Sequence, residues 1–98
     1  MAQTPEKKVK DWVCKWLDKT YPDHYRYMPV PTGFGRRGVA DIVCSIKGKW
    51  VSIEVKTDKG KPTKLQEIDQ SKVIASGGVA IIIYGKDQNA LDELYEVL

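Results

Sequence analysis

The chain of 98 residues is long enough for one domain and too short for two. Residues 1–64 carry 14 Lys and Arg against 7 Asp and Glu, whereas residues 65–98 carry 2 against 6. This basic region is typical of a surface that binds a polyanion, and a merely solvated surface is the alternative. No apolar run approaches the length of a membrane span, no apolar signal region opens the chain, and two cysteines form no disulfide framework, so we expect a cytoplasmic protein.

The first predicted element is an amphipathic helix. Thr4 suits the N-cap and Pro5 the first helical position, and the helix is expected to end near Thr20, before Pro22. Apolar residues follow the helical period closely: Val9, Trp12, Val13, Trp16 and Leu17. Glu6 is predicted on the buried face of the first turn, where its carboxylate either complements the helix dipole or points into a site.

A strand is predicted next, over Tyr25 to Val30, and its prolines indicate an edge strand or an early end. The glycine-rich segment that follows, residues 31–38, lacks the G-K-[ST] of a Walker loop. Arg36 and Arg37 lie in it, shortly before Asp41. Arginine forks and exposed backbone N–H groups suit a loop that contacts phosphate, and a solvated loop is the alternative.

A β-hairpin is predicted around a turn at Lys47-Gly48, with a register that pairs Ile42 with Ile53 and Asp41 with Glu54. Alternation then assigns one face to the core: Ala40, Ile42, Cys44, Ile46, Val51, Ile53 and Val55. Two carboxylates facing each other across strands repel, and a divalent cation between them relieves this repulsion. Lys56 is predicted on the same strand face as the two acids.

A second helix is predicted to begin at a capping box formed by Thr63 and Gln66. It is expected to end at Ala75 or Ser76, with Gly77 as its left-handed terminator. The Gln66 side chain has two interpretations, because it can bond back to Thr63 or face the acidic pair. Three lysines cluster before and at the start of this helix: Lys59, Lys61 and Lys64.

The chain is predicted to close with a fully buried strand over Val79 to Tyr84 and a short amphipathic helix. The apolar residues of that helix are Leu91, Leu94, Tyr95 and Leu98. The predicted order is therefore helix, three strands, helix, strand, helix.

Asp41, Glu54 and Lys56 resemble the motif of PD-(D/E)XK nucleases, and the wider pattern is similar to their VRR-NUC branch. The matching positions are Glu6, Gly35 to Gly38, Asp41, Glu54-Val55-Lys56, Gly60, Thr63, Gln66, Gly77-Gly78 and Val79 to Tyr84. They cover nearly the whole chain. One departure is Ala40, where the family usually has proline, and it concerns entry into the strand rather than chemistry.

The resemblance implies an α/β, restriction-endonuclease-like fold: an αβββαβ core whose mixed sheet is flanked by helices, followed by a short C-terminal helix. It implies one VRR-NUC domain over residues 1–98 and an endonuclease that depends on Mg²⁺ or Mn²⁺, with one or two ions per site. The implied metal ligands are Glu6, Asp41, Glu54 and the carbonyl of Val55. The implied catalytic residues are Asp41, Glu54, Lys56 and Gln66.

The resemblance leaves open whether Lys56 deprotonates the attacking water or offsets negative charge, and His24 lies outside the motif. Residues implied to bind DNA are Arg36, Arg37, Lys59, Lys61 and Lys64. Small members of the family resemble phage nucleases and Holliday-junction resolvases of DNA repair, so a homodimer that cuts branched DNA is expected, since a junction needs two symmetric cuts. The alternatives are a monomeric flap or nicking nuclease and a non-catalytic nucleic-acid-binding module.

Overall fold

The computed structural model describes residues 4–30, 38–57 and 60–98. Their elements follow the predicted order of helix, three strands, helix, strand and helix. The bounds are α1 Pro5–Thr20, β1 Tyr25–Tyr27, β2 Ile42–Ile46, β3 Lys49–Lys56, α2 Lys64–Ala75, β4 Val79–Tyr84 and α3 Gln88–Val97. Within these ranges no helix is long and apolar enough to cross a membrane.

The strands form one mixed sheet in the order β1-β2-β3-β4. β1, β2 and β3 are antiparallel, whereas β4 runs parallel to β3. The predicted hairpin register is confirmed, with Ile42 opposite Ile53. Lys47 and Gly48 both have positive φ, of 53° and 77°, as a two-residue type I′ turn requires.

The hydrophobic core lies between one face of the sheet and the helices α1 and α3. It contains the apolar stripe of α1, the predicted core face of the hairpin and the inner residues of α3. The bounds of α1 are as predicted, and Thr4 caps it by accepting a hydrogen bond from the Lys7 N–H. Glu6 is exposed rather than buried, and the buried residues of α1 begin at Val9.

Two strand predictions need correction. β1 ends at Tyr27 and not at Val30, since Pro29 has no N–H to continue the ladder. β4 has the predicted bounds but is only partly buried: Ile83 is inaccessible, whereas Tyr84 is exposed. Among the described strands β4 pairs only with β3, so one of its edges lacks a neighbour.

α2 lies on the opposite face of the sheet, and glycines let it approach closely. A Cβ on Gly38, whose φ is +79°, would come within 2.4 Å of the Leu65 carbonyl oxygen. A Cβ on Gly78 would come within 3.0 Å of both Val73 and the Trp50 carbonyl oxygen. The helix ends at Ala75 and is followed, as predicted, by Gly77 in the left-handed conformation, with a φ of +95°. These contacts bring the start of α2 against the strand that carries the acidic motif.

Candidate active site

Asp41 and Glu54 are brought together on the face of the sheet that α2 covers. The strand ladder begins at Ile42 and Ile53, so Asp41 is not the ladder partner of Glu54 that the register predicted. Instead, its side chain reaches across to β3, where Oδ2 accepts a hydrogen bond of 2.8 Å from the Val55 N–H. Asp41 is therefore held by the backbone next to Glu54.

Glu54 is buried, with 1% of its surface exposed. Its Oε1 accepts a hydrogen bond of 2.8 Å from Gln66 Nε2 and lies 3.9 Å from the Lys56 ammonium. Its Oε2 is also buried and has no hydrogen-bond partner in the described part of the chain. Desolvation raises the pKa of Glu54 to about 8, and the negative charge of Asp41 acts in the same direction. A hydrogen bond with Asp41, which forms only when one of the two carboxyl groups carries a proton, raises the pKa further.

Gln66 satisfies both interpretations of its side chain at once. Its Oε1 accepts a hydrogen bond of 2.8 Å from the Thr63 N–H, which completes the capping box of α2. Its Nε2 donates to Glu54 at the same time. The cap and the acidic site therefore share one amide group, whose orientation is set by contacts at both ends.

Lys10 is a site residue that the sequence reasoning missed. Its Nζ lies 3.4 Å from Asp41 Oδ1 and 3.7 Å from Glu6 Oε1. The available signal was its position four residues after Glu6, which places both on one helix face. A cation that bound both carboxylates here would displace the Lys10 ammonium.

The donor set of Asp41 and Glu54 fits a divalent cation. Mg²⁺ typically takes one or two carboxylates and leaves other positions to water and phosphate. The buried Glu54 Oε2 lacks a donor, and a cation would satisfy it. Within the described ranges there is no group of three acidic, His or Cys side chains that is arranged to hold a metal. Val55 has its side chain in the core, so only its backbone is available to the site.

The predicted DNA-binding residues divide into two groups. Lys61 and Lys64 are exposed beside the beginning of α2, close in sequence to Gln66. Arg36, Arg37 and Lys59 lie outside the described residues.

His24 belongs to a separate cluster. Its Nδ1 is at hydrogen-bond distance from the Tyr21 carbonyl, and its Nε2 lies 2.9 Å from Arg26 Nη1.

Two solved structures share this fold. One, named VRR_NUC domain, aligns over 96% of this chain and 97% of its own, with a TM-score of 0.76 and 20% identity. The other, named VRR_NUC domain protein, aligns over 99% and 89%, with a TM-score of 0.72 and 15% identity. No protein-family model matches the sequence, and a comparison with curated proteins finds no match either.

The described residues thus have the fold of a VRR_NUC domain. The predicted resemblance is confirmed at the level of the fold, and the predicted fold class is confirmed with it. The roles predicted for individual site residues remain predictions.

Proposed function

We propose that residues 1–98 form one VRR-NUC nuclease domain that hydrolyses DNA phosphodiester bonds with Mg²⁺ or Mn²⁺. The observation that carries the proposal is the buried Glu54 carboxylate beside Asp41, with an oxygen that lacks a donor. Burying an ionised carboxylate oxygen without a donor costs free energy, and a divalent cation between Asp41 and Glu54 would offset that cost. The VRR_NUC fold supports the same conclusion.

The chain's own residues divide the work of such a reaction. Asp41 and Glu54 hold the cation, and the Val55 N–H and the Gln66 amide fix the two carboxylates in place. Lys56, 3.9 Å from Glu54, orients the attacking water or offsets the negative charge that develops on the phosphate. The metal, when bound, supplies Lewis-acid activation of the phosphate and of water.

For the substrate we propose branched DNA, with four-way junctions as the preferred form and a homodimer as the active species. Lys61 and Lys64 are exposed next to the site and are available to phosphate oxygens. One domain of this size carries one site, and two symmetric cuts require two copies.

Cleavage of labelled DNA tests the proposal. A four-way junction, a flap and a linear duplex are incubated with Mg²⁺, Mn²⁺ or EDTA. We expect paired, metal-dependent nicks on the junction that the Asp41→Asn variant loses. An exposed acid before β1, changed as Asp23→Asn, serves as the control and is expected to cut normally.

Each other outcome selects a different conclusion. Cutting of flaps or duplex alone would support the nuclease activity but refute four-way junctions as the preferred substrate. DNA binding in EDTA without cleavage of any substrate would indicate the non-catalytic module. Light scattering tests the dimer: a mass of 11.1 kDa at micromolar concentration is that of the monomer and would refute it.

A further inference from the structure

An open groove of about 660 Å³ lies beside the candidate active site, on the same face of the sheet. Its floor comes from β2 and β3, and one wall comes from α2. The residues that line it include Tyr27, Val43, Trp50, Asp69, Lys72 and Val73. The groove therefore combines two aromatic rings and an apolar floor with one ammonium and one carboxylate.

Trp50 is exposed and yet held in place. Its side chain stands on the sheet face that is turned away from the core, and 52% of its surface is accessible. Its indole Nε1 donates a hydrogen bond of 2.9 Å to the hydroxyl of Ser52, which is itself buried. A ring whose polar atom is already satisfied and whose face is open presents a rigid surface for stacking.

Tyr27 adds a second ring across the sheet. It pairs with Val43, and Val43 pairs with Ser52, so these three side chains stand in one row on this face. Trp50 lies in the adjacent row. Tyr27 is 59% exposed, so both rings border the groove with open surface. Tyr27 on β1 and Trp50 on β3 are separated by β2, and exposed aromatic side chains on one sheet face suit the stacking of unpaired bases.

The groove and the candidate active site lie on the same face of β3, with the buried Ser52 between them. Trp50, Ser52 and Glu54 alternate on one strand face, so four residues, or about 13 Å, separate the ring from the catalytic carboxylate. Successive nucleotides in a DNA strand are about 3.4 Å apart along the helix axis. A strand cut at Glu54 therefore needs only a few nucleotides to reach from the cut to the groove.

This position also argues against a second copy of the chain as the occupant. A protein surface packed over Trp50 would stand about 13 Å from Glu54. It would obstruct the approach of DNA from that side.

We propose that the groove binds an unpaired nucleobase of the DNA strand that is cut, with Trp50 and Tyr27 as its stacking rings. The Lys72 ammonium on the rim faces the adjoining phosphate. The inference rests on the proposed nuclease function and narrows its substrate to DNA with unpaired nucleotides near the cut, as at an opened branch point or a flap.

Binding of single strands in EDTA tests the groove without any cleavage. The probes are a fluorescent thymidine oligomer of about 12 nucleotides and an abasic strand of equal length, which has the same backbone charge. Wild type is expected to bind the thymidine strand about 5- to 150-fold more tightly than the abasic one. The Trp50→Ala variant is expected to lose most of this preference, and Trp50→Phe to keep most of it.

Tyr95 provides a matched control, since it is 57% exposed and lies on α3, on the opposite face of the sheet. Tyr27→Ala is expected to reduce the preference for bases, whereas Tyr95→Ala is expected to leave it unchanged. Because each variant is compared with itself on two strands, a small loss of stability in any of them does not alter the ratio.

An unchanged base preference in the Trp50→Ala variant would overturn the inference. So would conversion of a dimer into a monomer by Trp50→Ala at constant base preference, because the groove would then be a subunit interface. The proposed function fails separately, through absence of cleavage with Mg²⁺ or Mn²⁺. A base preference that depends on Trp50, without any cleavage, would support base binding in the groove and refute the proposed nuclease activity.

Discussion

Replacing Glu54 by glutamine is expected to stabilise the metal-free protein at alkaline pH while it abolishes cleavage. Glutamine has nearly the same shape as glutamate, and its carbonyl oxygen can still accept the hydrogen bond from Gln66 Nε2. What the substitution removes is a buried acid next to Asp41. In the folded protein the pKa of this acid is raised to about 8 from an ordinary value of 4.5.

The magnitude follows from proton binding. Between pH 4.5 and about 8 the folded wild type binds more protons at Glu54 than the unfolded chain does. Its free energy of unfolding therefore falls as pH rises, by at most about 1.4 kcal/mol per pH unit. Across the interval the loss approaches about 3 to 5 kcal/mol. The Glu54→Gln variant has no titrating group at this position. The difference between its free energy of unfolding and that of wild type is therefore small at acidic pH and largest above pH 8.

Urea denaturation followed by tryptophan fluorescence measures this difference in EDTA, at about pH 5, 7 and 9. Glu93→Gln is the control, since Glu93 is exposed on α3. The contributions of other titrating groups cancel when each variant is compared with wild type at the same pH. Added Mg²⁺ is expected to stabilise only the wild type and so to reduce the difference in free energy of unfolding between Glu54→Gln and wild type at alkaline pH. A difference that stays constant or decreases as pH rises would refute the reasoning.

Two further predictions concern the packing of α2. Gly38→Ala is expected to destabilise the protein by about 1 to 3 kcal/mol more than Gly48→Ala, as measured by urea denaturation. Both have positive φ, but only a Cβ on Gly38 meets the Leu65 carbonyl, so equal losses would contradict this close approach. Thr63→Ala and Gln66→Ala should each cost about 1 to 2 kcal/mol through the cap. Only Gln66→Ala should also suppress cleavage strongly. Equal cleavage rates in the two variants would show that Gln66 serves only to cap α2.

Much of the fold follows from local patterns in the chain. The caps of α1 and α2, the apolar stripe of α1, the position of the turn at Lys47-Gly48 and the left-handed Gly77 are each determined by neighbouring residues, and each is as predicted. Alternation within the hairpin likewise identified its core face correctly. These features depend on steric preferences and periodicity over a few residues, which are properties of the sequence itself.

The errors arise where burial depends on distant elements. The apolar run of β4 is typical of a fully buried strand, yet its place at the end of the described sheet leaves it partly open. The helical period predicts a buried Glu6, yet Glu6 is exposed, and its carboxylate lies 3.7 Å from the Lys10 ammonium. Periodicity predicts the direction in which a side chain points, but it does not predict whether another element packs against that side chain and buries it.

The candidate site shows the same division. The sequence by itself predicted that Asp41, Glu54 and Lys56 lie near one end of the hairpin, because strand spacing is local, and it left open whether Gln66 faces them. Only the tertiary structure decided that Glu54 is buried with an unpartnered oxygen and that Lys10 reaches Asp41 from another element. Burial and contacts between separate elements depend on how helices pack across the sheet, and no short segment encodes that packing alone.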